Sequence, residues 1–160
     1  MAAFMKIDGI DGEATDKAHD KWIQIESMSS DISRTITAGA RDVERMRGDT
    51  ILGDVAVSRM LDSSSIPLQE ACAKGELKKE VTIHFCTQLG DKQHTYLEYV
   101  LKDVIVSGYM VSATANDKPS ESVHLAYAAV DWKYTQLDPK TGKETGQHPG
   151  KFDPSKNATK

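Results

Sequence analysis

Between Val81 and Tyr134 the chain is built almost wholly from strand-forming residues, and this stretch limits what it can fold into. Val81-Thr-Ile-His-Phe-Cys86 alternates apolar and polar residues, the period of a half-buried strand. Gly90-Asp91-Lys92 supplies a turn. Tyr96 to Val111 is rich in β-branched and aromatic residues, interrupted by Lys102-Asp103 and Ser107-Gly108. Val123 to Tyr134 closes the set. Successive strands with short connections predict an antiparallel sheet that curls on itself. The fold class expected is mainly β: a small antiparallel β-barrel with one short α-helix on its side and an extended loop arm.

The flanking segments fit that plan. Phe4 to Ile10 reads as a short strand, stopped by Gly9 and Gly12. Trp22-Ile-Gln-Ile-Glu26 alternates, so Ile23 and Ile25 share a face and Trp22 faces a rim or a partner. Ile51 to Leu61 returns to strand character, with Val55, Val57 and Arg59 on one side. Asp62-Ser-Ser-Ser65 offers N-capping hydroxyls and Pro67 suits a first helical turn. Leu68, Ala71 and Cys72 then fall on one helical face, and Gly75 is a C-terminal stop. Glu76 to Glu80 reads as a charged connector. Ser27 to Thr50 is the unusual region. It has few large apolar residues, no helical stripe, and four arginines (Arg34, Arg41, Arg45, Arg47) against four acids. A loop of that length is usually functional or disordered, and its arginines suit a subunit interface.

At 160 residues a single domain is expected, with enough chain for a real core. The domain proper is placed at residues 1–135. Residues 136–160 carry five lysines against three acids, among glycines and prolines. They are expected to be a C-terminal extension, weakly ordered in a lone subunit. A net charge of -4 argues against a general nucleic-acid binder. No apolar run reaches the roughly 20 residues of a membrane span, so no membrane partner is expected. The N-terminus shows no signal-peptide pattern, which predicts a protein made and folded in the cytoplasm. Cys72 and Cys86 read as buried thiols.

Sequence motifs of chemistry are few. There is no nucleophile elbow, phosphate-cradling loop or dinucleotide fingerprint, and no feature specifies a cofactor. The five histidines are scattered. His84 and Cys86 would share a strand face, at most half of a metal site, and nothing nearby in sequence completes it. Catalytic, cofactor and metal residues are therefore assigned as none, and no enzyme is expected. A monomeric barrel holding a small apolar ligand is the alternative reading. It is disfavoured because Val81, Ile83, Phe85, Leu125 and Tyr127 are large enough to fill a small barrel.

Phe4-x-Lys6-Ile-Asp-Gly9, followed by Gly12-Glu13-x-x-Asp16-Lys17-x-His19-x-Lys21-Trp22-Ile23, resembles the opening of the Hcp family, the tube protein of bacterial type VI secretion systems. Further motifs occur in the family's order: Val57-Ser-Arg59-x-x-Asp62-x-Ser64, Val81-x-Ile83, Tyr96-Leu97, Leu101-Lys102-Asp103-Val104-x-Val106-Ser107, Pro119-Ser120-Glu121-Ser122-Val123 and Val130-x-Trp132-x-Tyr134. The resemblance covers about residues 4 to 135. It implies a small β-barrel that forms homohexameric rings stacked into a tube, with a spike protein at the tip and a contractile sheath around it. It further implies effector proteins carried in the lumen and export by the machine itself without a signal peptide. It places an inter-subunit arm at Ser30 to Thr50, here with Gly39, Gly48 and four arginines where relatives often have a Gly-rich stretch. The arm residues Arg34, Arg41, Arg45 and Arg47 become the interface expectation. Met28, Ser29 and Ser30 fall at the family's lumen-facing positions; simple alternation from Ile23 would turn Ser29 inward, unless a bulge or twist intervenes or the carry-over is off by one.

Overall fold

The computed structural model describes residues 1–36, 38–39, 41–42 and 48–157. Its strands are β1 (Ala2–Ile7), β2 (Ile23–Ile25), β3 (Ser27–Ser29), β4 (Ile32–Arg34), β5 (Thr50–Leu52), β6 (Val55–Met60), β7 (Leu77–Leu89), β8 (Lys92–Thr114), β9 (Asp117–Ala126), β10 (Ala129–Leu137) and β11 (Glu144–Phe152). Among the described residues two helices accompany them: α1 (Ser65–Lys74) and the short α2 (Pro154–Asn157). All pairings are antiparallel.

The long strand β8 organises the sheet. One edge pairs with β7 from Lys92 to Ile105. The other edge carries β10 against residues 97–102 and β9 against residues 105–114. Residues 117–137 therefore run along β8 in one direction, as the sequence predicts for Val123 to Tyr134, but broken in two. The break lies at Tyr127-Ala128, opposite Asp103, whose φ of 50° takes it out of strand geometry. There the Ala128 N–H donates to the Lys102 carbonyl at 2.9 Å. On one side of the break β9 pairs onward with β6; on the other β10 pairs onward with β11.

The main path runs β2-β1-β7-β8-β9-β6-β3. Its two ends are consecutive segments of chain, parted only by Glu26, whose N–H donates to the Ser58 carbonyl at 2.8 Å. Closure is covalent at that residue, and the ladder itself stays open between β2 and β3; the fold is a barrel only in this loose sense. At the joint the alternation slips. Ile23 and Ile25 are buried, Glu26 and Ser27 are both exposed, and Met28 turns back toward the core. That slip, where the chain passes from pairing with β1 to pairing with β6, leaves Ser29 exposed.

The core fills the space inside the curl. Met5, Ile23, Val55, Leu68, Val81, Ile83, Leu101, Val104 and Leu125 are fully buried. Each such side chain contributes about 1.5–3 kcal/mol relative to its exposed state. Phe85 and Tyr127 are half-buried and pack against it. These side chains form one contiguous cluster across the interior, which does not favour a small apolar ligand there.

Helix α1 begins where Pro67 and the serines predict and ends at Gly75, whose φ of 65° is left-handed. Leu68 and Ala71 are its buried face. The serine hydroxyls, however, do not cap it in the expected way. Ser64, the N-cap residue, makes no side-chain capping bond. Its Oγ instead donates to Asp62 Oδ1 at 2.5 Å and accepts from Arg59 Nη1 at 2.6 Å.

Two further expectations are revised. Glu76–Glu80 is no connector, since β7 already starts at Leu77. Within residues 136–160 the turn at Asp138–Gly142 forms as read, closed by Gly142 N–H to the Asp138 carbonyl at 2.8 Å. It leads into a strand the sequence reading does not contain, β11, registered against β10 from Val130↔Phe152 to Leu137↔Glu144.

Candidate functional site: an exposed ribbon beside the last strand

The region Ser27–Thr50, expected as a loop arm, is a strand and a two-stranded ribbon over much of its described length. Ile32 pairs with Leu52, Ser33 with Ile51 and Arg34 with Thr50, apart from the main sheet. Backbone bonds extend it at both ends: Thr35 N–H to Asp49 carbonyl at 2.9 Å, and Gly53 N–H to Asp31 carbonyl at 3.0 Å. Gly48 lets the two sides meet, because a Cβ there would fall 1.6 Å from the Thr35 carbonyl oxygen.

The ribbon leaves apolar side chains in solvent. Ile51 is 54% exposed, Ile36 56% and Ile32 48%. A hollow of about 320 Å³ lies between the ribbon and the last strands, lined in part by Ile32, Trp132 and Phe152. Ile66, Leu77 and Met110 are also exposed elsewhere, but three isoleucines gathered on and just beyond one ribbon make a surface suited to a protein partner.

Of the expected arm residues, Arg34 lies on β4 and its Nη2 donates to Thr50 Oγ1 at 3.2 Å. Arg41 is exposed beyond the ribbon. Arg45 and Arg47 lie outside the described residues. Of the expected lumen residues, Ser29 and Ser30 are exposed, while Met28 is half-buried and packs on the core. The structure thus separates Met28 from its two neighbours.

The convergent polar chemistry lies in two places, one buried and one part-buried, that the sequence reading does not assemble. In the first, Arg59 is fully buried at the end of β6. Its Nη1 lies 3.0 Å from Glu121 Oε1, and its Nη2 lies against Asp62. Ser65 Oγ donates to Glu121 at 3.1 Å, and Tyr109 donates its hydroxyl to the other Glu121 oxygen. Burial and then that carboxylate push the Tyr109 phenol up to about 12. Burial would raise Asp62, but hydrogen bonds from Ser64 and Arg59 outweigh it and hold the carboxyl below its ordinary range. This cluster ties the start of α1 to β6, β8 and β9.

In the second, the segment 11–22 folds over the outer face of β1 and β7. Phe4, Ala14 and Cys86 form a small apolar cluster there, with Trp22 packed on it. His19 stacks on Phe4, with ring centroids 4.4 Å apart, and meets Trp22 edge-on. Its Nδ1 lies 2.6 Å from Asp16 Oδ1 and its Nε2 2.9 Å from His84 Nδ1. His84 Nε2 lies 2.7 Å from Glu98 Oε2, and the Lys133 ammonium reaches Glu98 Oε1 at 3.0 Å. Trp22, expected at a rim or a partner surface, therefore packs on this cluster, with the Lys6 ammonium 5.8 Å from its ring.

Cys86 Sγ lies 3.9 Å from His19 Nε2, so thiol, imidazole and Asp16 fall in the order of a nucleophile, a base and its orienting acid. The resemblance ends there. Cys86 is 1% exposed and His19 3%, so nothing outside reaches the sulfur, and His84 occupies the ring nitrogen that a base would need free. Among the described residues no set of three or more histidine, cysteine or acidic side chains is arranged to hold a metal ion.

The fold is a curled antiparallel sheet with a side helix and a separate two-stranded ribbon, its one thiol–imidazole pair buried. Comparison with known proteins agrees. Residues 4–134 match the family model described as "Type VI secretion system effector, Hcp". The curated Protein hcp1 of Pseudomonas aeruginosa is 26% identical over 144 residues, covering 89% of this chain and 88% of that one. A solved "type six secretion system protein" superposes with a TM-score of 0.88 at 30% identity, covering 98% of this chain and 97% of that one. Hcp1 of Salmonella typhimurium shares the fold, with a TM-score of 0.74 at 23% identity over 97% and 95% of the two chains. The chain belongs to the Hcp family of type VI secretion system proteins. It is a structural tube-family protein and not an enzyme. No helix among the described residues is long and apolar enough to cross a membrane.

Proposed function

We propose that this chain is the repeating subunit of a type VI secretion inner tube. Six copies close into a ring, rings stack, effector proteins ride in the lumen, and the spike protein and contractile sheath act at its tip and around it. The protein is made in the cytoplasm and leaves the cell through that machine. Family membership supports this reading, and one observation of the chain itself carries it: the ribbon of β4 and β5 with its exposed isoleucines. A ring requires a head-to-tail interface whose rotation closes, hence two different surfaces on each subunit. The ribbon, with Arg34 and Arg41 on or beside it, supplies one; the open edges of β3 and β11 supply candidates for the other. Ser29 and Ser30 present small hydroxyls to the lumen, a wettable wall that holds varied cargo weakly.

Sedimentation velocity on the purified protein at micromolar concentration tests the proposal. A discrete species of six subunits is expected. A monomer persisting across salt conditions contradicts it.

A further inference from the structure

The hydrogen-bond chain under segment 11–22 has a proton count that its own geometry fixes. Four acceptor or donor sites lie in line: Asp16 carboxylate, His19, His84 and Glu98 carboxylate, with separations of 2.6, 2.9 and 2.7 Å. Both ends are carboxylates and so accept. Asp16 is held ionised by the hydrogen bond from His19, and Glu98, despite burial, by Lys133 and His84. The outer ring nitrogens, His19 Nδ1 and His84 Nε2, must therefore each carry a hydrogen. Two neutral imidazoles own only two N–H groups between them, and both are used at the ends. The facing pair, His19 Nε2 and His84 Nδ1, would then be two bare lone pairs at 2.9 Å, a repulsive contact.

We infer that the His19–His84 pair binds one additional proton between its facing nitrogens, and that this shared proton latches segment 11–22 to the sheet. The charge balance supports it: one imidazolium and Lys133 stand against Asp16 and Glu98. The groups facing the pair are Asp16 from the segment itself, Cys86 on β7, Glu98 on β8, Lys133 on β10 and Lys6 on β1. His94 and Glu144 line a hollow on one side of His84, and Asp8, Lys79 and Glu80 line one on the other. The latch works at one end of the segment; at the other, Glu13 accepts the Ser63 N–H at 3.0 Å ahead of α1.

A second proton breaks the latch, because two imidazolium N–H groups would then face each other. Burial opposes that charge on His84 first, with further opposition from His19 and Lys133, and Glu98 only partly compensates. The closed segment thus refuses a proton that the opened segment accepts. The latch is therefore strongest near the ordinary histidine value of 6.5: below it the opened segment takes a second proton that the closed one refuses, and well above it closing must take up a proton that the opened segment no longer carries.

Nitrogen-15 NMR of the intact protein tests the inference, with His94, His124 and His148 each replaced by Gln for assignment. At neutral pH, a slowly exchanging imidazole proton with scalar coupling to nitrogens of both His19 and His84 is expected, with both outer nitrogens protonated. Below 6.5, amide exchange at Gly12, Ala14, Lys21 and Trp22 should accelerate by up to about tenfold per pH unit, after the intrinsic pH dependence is divided out. His84→Phe should abolish that acceleration. If that variant does not fold, the coupling in the unsubstituted protein still decides. Two unprotonated facing nitrogens at neutral pH, or exchange that does not follow pH, would overturn the inference.

Discussion

Arg59→Met should be the most destabilising single substitution at a polar position described above. Arg59 is fully buried, and its guanidinium answers two acids at once, Asp62 and Glu121. Methionine fills much the same volume, so little cavity forms. Asp62 keeps its bonds from the Ser64 N–H and Oγ, so the acid left stranded is Glu121, itself 3% exposed, with only Ser65 and Tyr109 as donors. Removing one partner of a buried pair costs about 3–5 kcal/mol. At about 2–4 °C per kcal/mol for a chain of this size, the midpoint of thermal unfolding should drop by roughly 6–20 °C. Replacing Glu121 by leucine in the same chain removes the stranded charge, so Arg59→Met/Glu121→Leu should recover most of that loss. Urea denaturation followed by circular dichroism measures both. A single variant within about 1 kcal/mol of the parent, or a double variant no better than the single, would refute the reading of this cluster as one coupled ionic unit. The cluster also predicts an alkaline limit. With Tyr109 raised to about 12 in the fold, its contribution is complete below the ordinary tyrosine value of 10.0 and is lost as the pH rises toward 12. Tyr109→Phe should remove that limb of the stability curve.

Three further outcomes are expected. Leu68→Ala empties a fully buried site beneath α1 and should cost about 2–5 kcal/mol in urea denaturation. Gly48→Ala places a methyl carbon against the Thr35 carbonyl and should disrupt the ribbon while leaving the unfolding midpoint of the domain close to that of the parent; sedimentation should then show weaker assembly. Reversing Arg41, Arg45 and Arg47 together to glutamate should weaken ring closure or stacking without unfolding the domain. Three are changed because a single exposed arginine contact contributes only about 0–1 kcal/mol, and normal sedimentation of the triple variant would remove these arginines from the interface.

Local rules made α1 legible before any coordinates. Gly75 and the Leu68–Ala71–Cys72 spacing act within a few residues and need no distant partner. The strands around Val81–Cys86 and Tyr96–Val111 were legible for the same reason, as alternation and β-branching are local. β11 was not. Glu144-Thr-Gly-Gln-His-Pro-Gly-Lys-Phe has two glycines, a proline and no apolar alternation; it is strand because β10 offers it an unpaired edge. The ribbon was hidden likewise, since all of β4 is exposed and no core face marks it. Alternation put Arg59 on the inner side, yet the acid that makes its burial tolerable, Glu121, comes from β9. His19 and His84 are 65 residues apart and read singly as scattered histidines. In this site, type and spacing revealed single residues, while the fold alone supplied the company they keep.

Electron microscopy of the purified protein beside its Gly48→Ala variant addresses most directly the claim that the ribbon joins copies of this chain. Annular particles of six subunits are expected from the parent, each subunit of 17.6 kDa, with few or none from the variant. Equally abundant rings from both proteins, or isolated single subunits from both, would contradict it.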